Sequence, residues 1–186
     1  DYHTPAMANI IQGKLGALNA LSFDLNAACS GFVYAVDTAR RFLETDENIK
    51  YAVIIASENL SRVVDFSDRN TCILFGDGAA AAVIAKSDTL YSSYLGSDGT
   101  IANVLFARSV NTNPTFAVES DFNDGFEGDN MHAIYQNGKE VYKFAVKALP
   151  HAFEKSAEKI GISADEIDLF VPHQANLRIL ETAAKN

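Results

Sequence analysis

The run AVIIAS, Ala52 to Ser57, constrains the fold more than any other stretch of the chain. It is uninterrupted by charge, too short for a buried helix and without the alternation of a half-exposed strand. Such a run fits a strand covered on both faces, the kind found in parallel sheets. The segment before it has a different period. From Ser30 to Leu43, residues Phe32, Ala35, Val36, Ala39 and Leu43 fall on one helical face. Leu21 to Asn26 reads as a strand ahead of that helix. Strand, helix and strand of these lengths predict a βαβ unit and an α/β fold.

The remaining segments continue the mixed pattern. Ala6 to Leu18 reads as a helix. Thr71 to Phe75 and Ala79 to Lys86 read as strands, and Gly76-Asp77-Gly78 between them is a hairpin signal. The stretch from Ser97 to Gly138 is rich in Asn, Asp, Gly and Ser, and predicts a long loop with one short strand at Thr115 to Glu119. A long helix follows, with Val141, Phe144, Ala145, Ala148, Leu149, Ala152, Phe153 and Ile160 on one face. Pro150 should kink it and Gly161 should stop it. Ser163 to Glu166 has capping-box spacing. Asp168 to Val171 reads as a strand closed by Pro172 and His173, and Gln174 to Ala184 as a last helix.

Composition narrows the function. The 186 residues carry a net charge of −9, which argues against non-specific nucleic-acid binding because that rests on Lys and Arg neutralising phosphates. No apolar run approaches the roughly 18 residues of a membrane span. The start, DYHTPAMANI, lacks the regions of a signal peptide, and it does not begin with Met. Two cysteines, Cys29 and Cys72, are too few for a disulfide scaffold, so reduced thiols in the cytoplasm are expected. No CxxC or HExxH spacing is present, and no metal site is expected.

The stretch DLNAACSGF, Asp24 to Phe32, carries the first candidate for chemistry. Cys29 follows an expected strand and opens an expected helix. A helix start offers unpaired N–H groups and a positive dipole end, and both favour the nucleophilic thiolate. Ala27, Ala28, Ser30 and Gly31 leave the sulfur uncrowded. A small buried cysteine would fit the same stretch, and the residues alone leave both readings open. Cys72, inside TCILF, reads as structural. Of the four histidines, His3, His132, His151 and His173, only His173 stands at an expected strand end, where open α/β sheets bind ligands. Cys29 occupies an equivalent strand end, so the two point to a site built from separate βα turns. Gly76-x-Gly78-x-x-Ala81 matches a dinucleotide fingerprint, but that motif needs a following helix, and AAAAVIAKS reads at least as well as a strand.

Three stretches in this order, DLNAACSGF, SDRNTCILFGDGAAAAV and VPHQANLRI, resemble the β-ketoacyl-acyl carrier protein synthase III family. The resemblance runs along nearly the whole chain. It implies a thiolase-like αβαβα layered fold, incomplete at both ends. Residues 1–88 would belong to the half that carries the nucleophile, and residues 89–186 to the half that carries the histidine. It implies a decarboxylating Claisen condensation of an acyl-CoA primer with malonyl-acyl carrier protein, the step that initiates fatty-acid synthesis. Cys29 and His173 fall at catalytic positions. Arg69, Gly138 and Asn176 fall at CoA or pantetheine positions, Phe75 at the acyl pocket and Arg178 in the basic patch for the acidic carrier protein. No cofactor is implied, since the CoA thioester is a substrate, and a homodimer is expected.

The chain departs from the family pattern in several places. The third catalytic residue, an asparagine in a Gly-Asn-Thr-Ser motif well after the histidine, lies beyond Asn186. A Gly-rich segment that supplies an oxyanion N–H is absent, as are the first strands. These departures predict an internal fragment that is inactive in complete condensation. Asn70 replaces a common glycine, the loop from about Leu105 to Gln136 is longer than usual, and Thr4 stands where many members have phenylalanine. A related thiolase-like acyltransferase with another acceptor, an inactive fragment, and an NAD(P)-binding oxidoreductase are the alternatives.

Overall fold

The computed structural model describes residues 4–107 and 133–185. His3, His132 and the expected strand Thr115 to Glu119 lie outside the described residues. The chain divides into two units, Asp1–Ala56 with Ala81–Ser87, and Ser57–Ala80 with Asp88–Asn186.

In the first unit, helix α1 spans Met7–Lys14, four residues short of the expected end at Leu18. Gly16, at φ +68°, takes the chain into the left-handed region just beyond it. Ala6 has no side-chain acceptor with which to cap the helix start. Asp24 serves instead, its two carboxylate oxygens accepting from the N–H of Met7 at 2.7 Å and of Ala8 at 2.8 Å. A cap of this kind contributes about 0.5–2 kcal/mol. Asn9 adds a bond from Nδ2 to Ser22 Oγ at 3.0 Å. Leu21 to Asn26, expected as a strand, therefore holds α1 through side chains, and it joins no ladder among the described residues.

Helix α2, Gly31–Thr45, matches its expectation. Of its apolar face, Leu43 is buried while Phe32 remains 49% exposed. The sequence pattern misses its other buried residue, Asp37, which is 2% exposed. Asp37 Oδ2 accepts from Arg41 Nε at 2.7 Å and Oδ1 from Arg40 Nη2 at 3.5 Å. A buried carboxylate needs such donors, and here they come from three and four residues further along the same helix face.

Strands β1, Tyr51–Asn59, and β2, Asp77–Ala85, pair in a two-stranded sheet. The run AVIIAS is thus a strand, but it is not covered on both faces. Ile54 is 6% exposed, whereas Val53 is 57% and Ile55 41% exposed. Among the described residues β2 is its only ladder partner. Asp77 opens β2 directly, so Gly76-Asp77-Gly78 is a strand entry and not a hairpin turn.

The expected strand Thr71 to Phe75 is a run of turns in the second unit. Its backbone donors are taken locally: Thr71 and Cys72 N–H bond to Asp68 O, and Leu74 and Phe75 N–H to Thr71 O. Groups satisfied this way cannot enter a ladder. The two-residue strands β3, Leu105–Phe106, and β4, Tyr135–Gln136, pair antiparallel, with Phe106 opposite Tyr135. Their rings stand 5.2 Å apart and close the base of the expected long loop.

Helix α3, Gly138–Ile160, contains Pro150 and ends at Gly161, which has φ +70°. Asn137 caps its start by accepting from Glu140 N–H. Ser163 and Glu166 form the expected capping box, over a single short helical turn. Asp168 to Val171, expected as a strand, joins no ladder among the described residues. It is anchored by Phe170, whose ring meets Phe153 of α3 edge-on at 5.4 Å. Helix α4, Leu177–Ala183, starts three residues later than expected because Asn176 is its cap. Tyr142 of α3 and Thr182 of α4 share a hydroxyl hydrogen bond of 2.8 Å.

Replacing Asp37 by alanine removes the acceptor for two guanidinium groups and should lower unfolding stability by about 1–3 kcal/mol. Urea denaturation of the two proteins checks this, and an unchanged midpoint would contradict it.

Candidate active site

Cys29 lies in a short helical turn, Ala28–Ser30, that runs directly into α2. Ala28 before it has φ +45°, a left-handed conformation that costs an L-residue roughly 1–2 kcal/mol. Asn26 Oδ1 accepts from Ala28 N–H at 3.3 Å, and Ala27 O accepts from Ser30 N–H at 3.0 Å. The bend therefore has local support on both sides of Cys29. The thiol is free and exposed, while Cys72 is free and half-buried. Ser30, at the helix cap, makes no side-chain capping bond. The Ser30 hydroxyl thus does not cap the first-turn N–H groups of α2. An exposed thiol is not the small buried cysteine that the packing reading expects.

The other six candidate residues lie in the second unit, in two local groups and one separate position. Arg69 and Phe75 flank the turns at 68–75. Arg69 is exposed and makes no hydrogen bond or ion pair among the described residues, and Phe75 is half-buried. His173, Asn176 and Arg178 lie together on the approach to α4, all exposed. His173 does not end a paired strand among the described residues, where 168–171 joins no ladder. Asn176 Oδ1 accepts from Arg178 N–H at 2.9 Å, which commits its oxygen to the cap. Gly138 is the first residue of α3. A Cβ there would meet only Gln136 Nε2 at 3.6 Å, an ordinary contact.

Two carboxylates order the loops around Arg69 and Phe75. Asp77 accepts from Ser61 N–H at 2.8 Å and Ser61 Oγ at 2.6 Å. The Ser61 hydroxyl and then its N–H hold the Asp77 carboxyl below its ordinary value of 3.8. Asp68 is lowered too, first by the N–H of Asn70. Sequence reasoning missed both residues. The available signal was an Asx residue two positions before Asn70 and three before Thr71, the spacing at which such side chains bond their own backbone. The Gly76-x-Gly78-x-x-Ala81 segment leads into β2 and not into a helix, so the context a dinucleotide fingerprint requires is not met. Among the described residues no group of three or more His, Cys, Asp or Glu could hold a metal ion. No described helix is long and apolar enough to cross a membrane.

Comparison with known proteins bears on the whole chain. The family model for 3-oxoacyl-[acyl-carrier-protein] synthase III matches residues 23–99. The β-ketoacyl-[acyl-carrier-protein] synthase III of Clostridium acetobutylicum is 44% identical over 187 residues, covering 100% of this chain. The chain is similar along its whole length to β-ketoacyl-[acyl-carrier-protein] synthase III enzymes. It spans 55% of the length of that relative and 55% of the enzyme from Caldanaerobacter subterraneus, which is 40% identical. The solved structure of β-ketoacyl-[acyl-carrier-protein] synthase III from Thermus thermophilus matches 100% of this chain and 55% of its own, with 38% identity and a TM-score of 0.84. The fold is accordingly the α/β thiolase-like fold of the synthase III family, represented over about half of its length.

The Asp77 grip on Ser61 has a pH signature. Its folded pKa is depressed, so its contribution to stability is complete above the ordinary value of 3.8 and is lost as the pH falls through the lowered value. Asp77→Asn should reduce stability at pH 7 and flatten the acid limb of the stability profile below pH 3.8. Thermal unfolding of both proteins between pH 2 and pH 7, showing parallel acid limbs, would contradict it.

Proposed function

We propose that this chain carries the nucleophile and the histidine of an enzyme that condenses an acyl-CoA primer with malonyl-acyl carrier protein. The observation that carries the proposal is the match to β-ketoacyl-[acyl-carrier-protein] synthase III along 100% of the chain, with its one exposed described cysteine at the start of α2. Residues 1–88 and 89–186 would then be parts of the two similar halves.

The reaction divides into loading and condensation. Cys29 sulfur attacks the thioester carbonyl of acyl-CoA, the carbon–sulfur bond to CoA breaks, and CoA leaves as the thiol. Malonyl-acyl carrier protein then loses CO2, and the electron pair of the broken carbon–carbon bond becomes an enolate on the thioester. The enolate carbon attacks the acyl group, and the Cys29 thiolate departs. The product is a β-ketoacyl-acyl carrier protein, and no cofactor is consumed.

Each candidate residue has a role that its chemistry suits. A neutral His173 imidazole donates to the enolate oxygen as an oxyanion-hole donor would. The N–H of Cys29 helps hold the oxyanion of the acyl thioester. Phe75 lines the acyl pocket, where an apolar wall keeps water from the carbanion. Arg69, Gly138 and Asn176 bind the CoA or pantetheine portion. Arg178, exposed on α4, belongs to a local basic patch that lets a chain of net charge −9 meet an acidic carrier protein. A homodimer in the cytoplasm completes the proposal.

The test is formation of β-ketoacyl product by the enzyme at the full length of its relatives. Cys29→Ala should abolish it, and His173→Ala should slow condensation by about 10²–10³-fold, the loss expected for one oxyanion donor. Arg178→Glu should raise the KM for the carrier protein roughly tenfold through reversed rim charge while leaving acyl loading intact. Equal loss of loading and condensation in Arg178→Glu would overturn the docking role. Full product from Cys29→Ala would overturn the function.

A further inference from the structure

The bend ahead of Cys29 turns on one strained residue that is gripped at both ends. Ala28, at φ +45°, is the only non-glycine among the described residues with a positive φ. Its N–H donates to Asn26 Oδ1 at 3.3 Å, and its carbonyl accepts from the N–H of Gly31, the first residue of α2. The residues before the bend are fastened to α1 by side chains. Ser22 Oγ accepts from Asn9 Nδ2, and Asp24 accepts from the N–H groups of Met7 and Ala8. Asn26, two residues on, spends its side-chain oxygen on the bend instead.

What this bond prevents follows from helix geometry. Alanine meets a steric penalty in the left-handed region that glycine escapes, so Ala28 without support would relax toward the right-handed region. A right-handed Ala28 would let α2 wind backwards past Cys29 and would offer the Cys29 N–H a carbonyl four residues earlier. With Ala28 left-handed, the helical turn begins at residue 28, and the Cys29 N–H finds no acceptor among the described residues. That N–H is the group assigned to the oxyanion of the acyl thioester. The thiol of the same residue is exposed.

We propose that Asn26 is a positioning residue that locks Ala28 in its left-handed conformation, so that Cys29 starts the helix with its sulfur outward and its N–H free. The inference rests on the reading of Cys29 as the acyl-accepting nucleophile, and it deepens that reading by naming the side chain that sets the nucleophile in place. Asn26 acts only through the backbone of Ala28. Its effect belongs to the rate of acyl transfer at Cys29 and not to the affinity for the thioester.

Single-turnover acetyl transfer from acetyl-CoA, on the enzyme at the full length of its relatives, tests this together with alkylation of both thiols by iodoacetamide. Asn26→Ala should slow transfer on the order of tenfold at saturating acetyl-CoA, and leave the half-saturating concentration within about twofold. It should also slow alkylation of Cys29 while leaving that of Cys72 unchanged. In an Ala28→Gly background the same substitution should cost less than about threefold, because glycine enters the left-handed region without the bond. Asn26→Leu, of similar size and without the acceptor, should behave as Asn26→Ala does, and it serves if Asn26→Ala does not fold. If Cys29→Ala abolishes transfer while neither Asn26 variant slows it, the nucleophile reading stands and the positioning role falls. If the loss is equal with alanine and with glycine at position 28, or if alkylation of Cys72 speeds up as transfer slows, Asn26 is only structural and the proposal is overturned. If Cys29→Ala transfers as the wild type does, the nucleophile reading fails and the proposal fails with it.

Discussion

Carboxylates that accept backbone N–H groups hold several of the turns and helix starts of the chain, the turn at Arg69 among them. Asp24 caps α1, Asp77 holds Ser61, Asp68 gathers Asn70 and Thr71, and Glu166 accepts from Ser163. Hydrogen bonds with an ionised partner are shorter and roughly twice as strong as neutral ones. They matter here because apolar burial is sparse: the buried hydrophobic residues are Leu43, Ile54, Val64, Ile134, Ala157 and Ala183 among those described. Many of the acidic side chains behind the net charge of −9 are thus structural acceptors. The sign of the total charge therefore says little about which partner a given part of the surface meets.

The second constraint is the backbone at Ala28. A left-handed alanine is strained, and strain of this kind is retained where surrounding groups over-determine it. Asn26 and the turn into α2 supply that support. The result is a cysteine that is delivered to the surface at a helix start and not folded into the core. The small side chains of Ala27 and Ala28, noticed first as room around the sulfur, also permit the tight bend.

Much of this was legible in the sequence, and the failures have a common physical cause. Helices α2 and α3 were read closely because their apolar periodicity and Gly161 stop are local signals. AVIIAS was read correctly as a strand. Leu21 to Asn26, Thr71 to Phe75 and Asp168 to Val171 were read as strands from apolar content alone. A strand also needs a ladder partner, which no local pattern reveals, and at Thr71 the side chain of Asp68 offered the backbone a closer one. Asp37 was missed because a buried carboxylate looks like a surface residue until its two arginines are seen around it. For the candidate site, Cys29 and His173 are expectations that rest on their motifs, while the contacts of Asp68 emerge only from hydrogen-bond geometry.

The central claim is that Cys29 takes an acyl group from a CoA thioester. Intact-mass analysis with peptide mapping after exposure of the full-length enzyme to acetyl-CoA tests it directly. The account predicts one acetyl group per chain, located on Cys29, absent in Cys29→Ala, with release of an equal amount of CoA. Acetylation at Cys72 with Cys29 unmodified, or no covalent adduct on an enzyme that still forms product, would contradict it.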